Sequence, residues 1–164
     1  MKKEIAEVLH QERIADDILS LLLKVSFAAE VRPGQFVSLY SHDESRLLPR
    51  PISVCETFPS DGVIRLVYRI AGKGTREFSG LSAGDAIEVM GPLGNGFPIE
   101  ENQNRKVLLI GGGIGIPPLL SCAEVLHDAV IAAGYRTGSY LLPELEAAAP
   151  VYTATEDGSC GTKG

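Results

Sequence analysis

Three short stretches hold residue types able to grip a phosphate-bearing ligand: "RPIS" at 50–53, "GKGT" at 72–75 and "GGGIGIPP" at 111–118. In the first, the Arg50 guanidinium can meet phosphate oxygens through two parallel N–H bonds, and Ser53 offers a hydroxyl that donates or accepts. Pro51 restricts the backbone between them. On a strand, Arg50 and Ile52 point one way and Pro51 and Ser53 the other. The second stretch places glycines before Thr75, with a short helix possible through Phe78, and suits either a phosphate-binding nest or a plain turn. The third departs from the dinucleotide pattern G-x-G-x-x-G, because Ile116 stands where the last glycine falls. It fits G-x-G-x-G-x-x-P through Gly111, Gly113, Gly115 and Pro118. Glycines there let backbone approach a pyrophosphate, and a proline in the first helical turn lacks an N–H that would go unpaired anyway. The helix start then offers amides and partial positive charge to an anion. The plainer alternative is a tight strand-to-helix turn without a ligand.

Other reactive residue types are scattered. His10, His42 and His127 are isolated, and "HDES" at 42–45 reads as a solvated acidic loop. Cys55, Cys122 and Cys160 are odd in number, far apart and lack C-x-x-C spacing, so neither a disulfide framework nor a closed metal site is indicated. The net charge of −6 over 164 residues argues against a nucleic-acid partner, which calls for excess basic surface. No segment approaches the apolar length of a membrane span, and the opening residues lack the apolar core of a secretory signal. A cytoplasmic protein is expected.

These stretches need elements to hold them. Up to about Ile99 the chain reads as short strands and turns. In "VIRLVYRI", Ile64, Leu66, Tyr68 and Ile70 alternate with Val63, Arg65, Val67 and Arg69, the period of a half-buried strand. "PGQFVSLY" and "AGDAIEVM" each follow a turn signal, and "ILSLLLKVSF" fits a strand or a helix, with strand favoured by its position. Short strands at this spacing predict a small antiparallel barrel. "IEENQNRK" at 99–106 is a polar break. Beyond it come a fully apolar strand, the glycine turn, a helix with Leu119, Leu120, Ala123 and Leu126 at helical spacing, a strand at "AVIAAGYR", a helix at "LLPELEAAA" and a strand at "VYTAT". That alternation predicts a parallel sheet covered by helices, stopping after three strands with an exposed edge.

The order of barrel, "RPIS", strand, "GKGT", "GPLG" and then "GGGIG" resembles the ferredoxin-NADP reductase superfamily. Within it, "RPGQFV", "VYRIAGKGT", "GPLGNGF", "GGGIGIPPL" and "DGSCGTKG" look most like the electron-transfer subunits of dihydroorotate dehydrogenase B. The resemblance implies a six-stranded antiparallel FAD-binding β-barrel over 1–99, followed by a partial Rossmann-like NAD-binding domain over 104–164. It implies that Arg50, Pro51, Ile52 and Ser53 contact FAD, with Ser53 nearest the flavin ring. Val67, Tyr68 and Arg69 would line the cofactor, and Gly74 and Thr75 would bind its pyrophosphate through amides and the hydroxyl. Gly112, Gly113 and Gly115 would approach the phosphates of NADH, bordered by 134–136 and 156–159. No side-chain acid or base is then required. The implied function is to move electrons from NADH through FAD and a 2Fe-2S cluster to an FMN-containing dihydroorotate dehydrogenase catalytic subunit, in a heterotetramer serving pyrimidine biosynthesis. The family's four cluster cysteines lie in a C-terminal segment that this sequence does not contain, which suggests truncation. Two alternatives stand beside this reading: another NAD(P)H-ferredoxin or sulfide-type reductase subunit, and a non-catalytic FAD-binding fragment.

Overall fold

The structure is a computed structural model that describes residues 1–42 and 48–164; residues 43–45 of the expected acidic loop lie outside the described residues. The chain divides into two compact units, Met1–Gly96 and Phe97–Gly164.

The first unit contains strands β1 (Lys2–Ala15), β2 (Ile18–Lys24), β3 (Phe36–Leu39), β4 (Arg50–Phe58), β5 (Val63–Arg69) and β6 (Ala86–Leu93), with helix α1 (Lys73–Phe78) between the last two. They close into an antiparallel barrel in the order β1-β2-β5-β4-β3-β6, the small barrel that the strand spacing predicts with the six strands that the resemblance implies. β1 is a 14-residue strand to which the sequence patterns assign no element. Its first half pairs with β6 and its second with β2, with register shifts at Val8/His10 and Arg13/Ala15. Such irregularities bend a strand, which lets one segment serve two sides of a barrel.

Alternate residues fill the interior: Leu19, Leu21 and Leu23 from β2, Ile64, Leu66 and Tyr68 from β5, and Ile87 and Val89 from β6, with Phe27 and Phe78 completing the core. Each such side chain contributes about 1.5–3 kcal/mol through its removal from water. β5 is more buried than its alternation predicts, because its outward Val63 and Val67 are only 7% and 3% exposed. It is flanked on both edges, by β2 and β4, whose outward Ile18 and Cys55 are buried as well. The same outer face carries a polar relay: Arg65 donates from Nε to Ser20 Oγ at 2.9 Å and from Nη1 to Glu56 Oε2 at 2.6 Å. Removing one partner of so shielded a pair costs about 3–5 kcal/mol, far more than the intact pair contributes.

The second unit holds β7 (Val107–Gly112), β8 (Ala129–Tyr135), β9 (Val151–Thr155) and β10 (Thr162–Lys163), all parallel in the order β10-β9-β8-β7. Helices α2 (Ile99–Asn102), α3 (Pro117–Ala123) and α4 (Leu142–Ala148) accompany them. β10 corrects the expectation of three strands: its two residues pair with β9 along the edge expected to be bare. β7 is apolar, as read, but covered on one side only. Leu108 and Ile110 are 59% and 72% exposed, while α3 packs on the other face of the sheet. No described helix is long and apolar enough to cross a membrane.

Candidate cofactor site

"RPIS" opens β4 and "GKGT" opens α1, and the barrel brings the two together. A methyl group added at Gly74 would lie 2.6 Å from Arg50 Nε and 3.1 Å from Cζ, so the arginine lies directly on the glycine. No larger residue leaves room for that contact. The guanidinium bends back to donate from Nη1 to the carbonyls of Leu48 and Pro49. By helix geometry the Gly74 and Thr75 amides, in the first turn, have no intrahelical carbonyl to meet. A cation and backbone N–H groups thus converge on one place, the donor set that suits phosphate oxygens.

This place is held from three directions. Phe78, 1% exposed, anchors α1 in the core. Glu77 accepts from the backbone N–H of His42 at 2.8 Å and from the Ser41 hydroxyl, fixing α1 to the approach to β4. From inside the barrel, Gln11 on β1 donates to the carbonyls of Phe78 and Leu81 at 3.1 and 2.9 Å and accepts from the Tyr68 hydroxyl at 2.8 Å.

The remaining candidates divide. Pro51 and Ser53 face outward and are exposed, whereas Ile52 packs inward against the core. Tyr68 points into the barrel and is 1% exposed, so only its backbone is left to face a ligand. Burial holds its phenol well above the usual tyrosine range. Val67 is buried on the outer side, and Arg69 Nε lies 3.1 Å from Asp17 Oδ2 beside the β1–β2 turn. Thr75 also differs from expectation. Its hydroxyl accepts from the amides of Ala71 and Gly72 at 2.9 and 3.1 Å and donates to the Gly72 carbonyl, an internal cap that leaves the backbone N–H as its contribution. Gln11 and Glu77 were not singled out by sequence reasoning, since an isolated glutamine or glutamate carries no motif.

In the second unit each glycine of the β7–α3 turn has its own reason. A methyl at Gly111 would meet Leu119 Cδ1 at 2.7 Å and the Gly115 carbonyl at 3.1 Å, so this glycine permits strand-to-helix packing. Gly113 has φ +51°, in the left-handed region that side chains avoid. A methyl at Gly115 would meet nothing within 4 Å, and one at Gly112 only the Gly134 carbonyl at 4.0 Å. Packing does not demand these two glycines, and their open backbone suits a close-approaching ligand. Pro117 and Pro118 begin α3 where missing N–H groups cost nothing. Beyond the ends of β8 and β9, the amide of Gly138 donates to Ser159 Oγ at 2.8 Å and Ser159 donates to Asp157 Oδ1 at 2.6 Å, tying two loops at the carboxyl end of the sheet. The bonds from the Ser159 hydroxyl and amide hold the Asp157 carboxyl below its usual range.

A family description, oxidoreductase FAD-binding domain, matches residues 5–97. The dihydroorotate dehydrogenase B (NAD(+)) electron transfer subunit of Streptococcus pneumoniae is 40% identical over the whole chain, which covers 67% of that relative. The chain belongs to the family of dihydroorotate dehydrogenase B electron transfer subunits. Another such subunit, from Listeria monocytogenes, is 41% identical over 96% of the chain and 65% of the relative. The chain therefore spans about two thirds of the length of its curated relatives. A solved NADH-dependent reduced ferredoxin-NADP oxidoreductase superposes with TM-score 0.87 at 34% identity, over 97% of this chain and 59% of that one. A cytochrome P450 reductase from Amycolatopsis follows at TM-score 0.81 and 28% identity, over 94% of this chain and 52% of that one.

The residues of this electron transfer subunit family member fit FAD: the Gly74 cradle, the Arg50 fork and the exposed Ser53 hydroxyl lie in the matched segment. They do not fit a 2Fe-2S cluster. Four thiolates cannot come from three cysteines, two of which are buried. Among the described residues no group of three or more His, Cys, Asp and Glu is placed to hold a metal ion.

Proposed function

We propose that this chain holds FAD and carries electrons from NADH toward an FMN-containing catalytic subunit that interconverts dihydroorotate and orotate, a step of pyrimidine synthesis. The observation that carries the reading is Arg50 seated on Gly74, a cation and a glycine cradle at the meeting of two motifs, in a chain whose relatives bear that name. FAD, when bound, supplies a hydride acceptor that can pass electrons onward.

The first unit is the FAD-binding unit in this reading. Arg50 and the amides of Gly74 and Thr75 hold the pyrophosphate, and the residues from Pro51 to Ser53 border the flavin with Ser53 presenting its hydroxyl. Val67, Tyr68 and Arg69 contribute backbone along the edge of the ligand. The second unit takes the nicotinamide nucleotide, with Gly112, Gly113 and Gly115 approaching its phosphates. No acid or base residue is needed, since hydride transfer leaves positioning as the protein's task. The catalytic partner joins this subunit in a heterotetramer. Likeness to the ferredoxin-NADP oxidoreductase favours a second reading, in which the acceptor is a ferredoxin-like protein.

The test is a visible spectrum of the purified chain with FAD, followed by anaerobic NADH. Flavin bands that bleach with NADH support the reading, and co-elution of the chain with the catalytic subunit rather than with a ferredoxin on gel filtration separates it from the ferredoxin alternative. A folded chain that takes up no flavin from excess FAD overturns both.

A further inference from the structure

We infer that Gln11, hydrogen-bonded to Tyr68, is a positioning residue for the phosphate end of the cofactor, acting through α1 without touching the ligand. This rests on the FAD reading above.

The Gln11 amide uses both N–H donors and its oxygen at one place. Its nitrogen donates to two carbonyls, Phe78 and Leu81, and its oxygen accepts from Tyr68. The partners are 57 to 70 residues away in sequence, so the network joins β1, β5 and the far end of α1. The two carbonyls fix which way the amide is turned, because they can only accept. With the nitrogen committed to them, the oxygen is left facing the phenol, and rotating the amide by half a turn would set that oxygen against two acceptors. The phenol, buried and protonated, donates to the oxygen left over.

The carbonyl of Phe78 belongs to the last residue of α1, one turn beyond Gly74. α1 is only 6 residues long and too short to hold itself, so its placement comes from tertiary contacts. The core side chain of Phe78 resists withdrawal of the helix, and Glu77 ties the helix to Ser41 and His42. Gln11 adds two directional bonds at the C-terminal end of the helix. Since Arg50 Nε would stand 2.6 Å from a methyl at Gly74, a small turn of α1 either separates the guanidinium from the amides or drives the two together.

The test compares two ligands on the full chain. FAD carries the pyrophosphate, and riboflavin carries the same ring without any phosphate. Gln11→Leu keeps the volume while leaving the carbonyls and the phenol unpaired, and Tyr68→Phe removes only the hydroxyl. The inference predicts that Gln11→Leu weakens FAD by about tenfold or more and riboflavin by less than about twofold, with Tyr68→Phe showing a smaller change in the same ratio. Equal weakening of both ligands, or no change in either, overturns it and makes Gln11 a purely structural residue. If Gln11→Leu does not fold, Tyr68→Phe decides by the same ratio, supported by amide exchange: faster exchange at Gly74 and Thr75 in that variant agrees with the inference, and unchanged exchange contradicts it. Wild-type chain that fails to bind FAD would instead overturn the underlying reading.

Discussion

The glycines of the barrel unit and those of the sheet unit are constrained in different ways. Gly74 is demanded by another side chain, because Arg50 occupies the space its own would fill. In the β7–α3 turn, Gly111 and Gly113 are demanded by packing and backbone conformation, while Gly112 and Gly115 are demanded by nothing in the protein. A glycine-rich motif is therefore a mixture of structural and ligand-facing positions, and only the surroundings of each one sort them.

The largest effect expected from this contrast is at Gly74. Gly74→Ala forces the Arg50 guanidinium aside and should weaken FAD by about a hundredfold, read by flavin fluorescence titration of the cofactor-free chain. An unchanged affinity would separate the cradle from the cofactor. In the sheet unit the pair Gly111→Ala and Gly115→Ala should split. The first overpacks the turn and costs about 1–3 kcal/mol of stability in urea unfolding. The second stays within about 0.5 kcal/mol of wild type yet slows flavin reduction by NADH. Equal behaviour of the two would erase the distinction between packing and open glycines.

The smallest effect concerns the thiols. Burial pushes Cys122 up to about 11, and Cys55 is also buried, whereas Cys160 is half-buried. A thiol-specific reagent at neutral pH should label Cys160 first and the other two only on unfolding. Because the folded chain holds the Cys122 proton more tightly, that stabilisation is complete below about pH 9 and is lost as pH rises through about 11. A melting temperature that rises over this window in wild type relative to Cys122→Ala contradicts the assignment.

The sequence and the structure agree most where a local pattern has one physical meaning. The alternation of Ile64, Leu66 and Tyr68, and the change from period two to helical spacing after 106, predict the barrel and the parallel sheet. β1 was not legible, since Lys, Glu, Ala, Gln and Arg suit helices, and only Ala6 and Val8 are fully buried along it. In the site, Arg50 and Gly74 could be read from motifs, but their contact could not, because it depends on the closure of the barrel. The resemblance implies a ligand contact for the Thr75 hydroxyl, and in the structure that hydroxyl caps its own turn. Gln11 and Glu77 do their work through carbonyls and amides distant in sequence, which no short pattern encodes.

The central claim, that the barrel unit grips the flavin nucleotide while the open glycines serve the reductant, is tested most directly by spectra of Arg50→Ala and Gly115→Ala, each with FAD and then anaerobic NADH. The account predicts that Arg50→Ala loses its flavin on gel filtration, while Gly115→Ala stays yellow and bleaches slowly. Arg50→Ala that retains FAD as wild type does, or Gly115→Ala that bleaches at the wild-type rate, would contradict it.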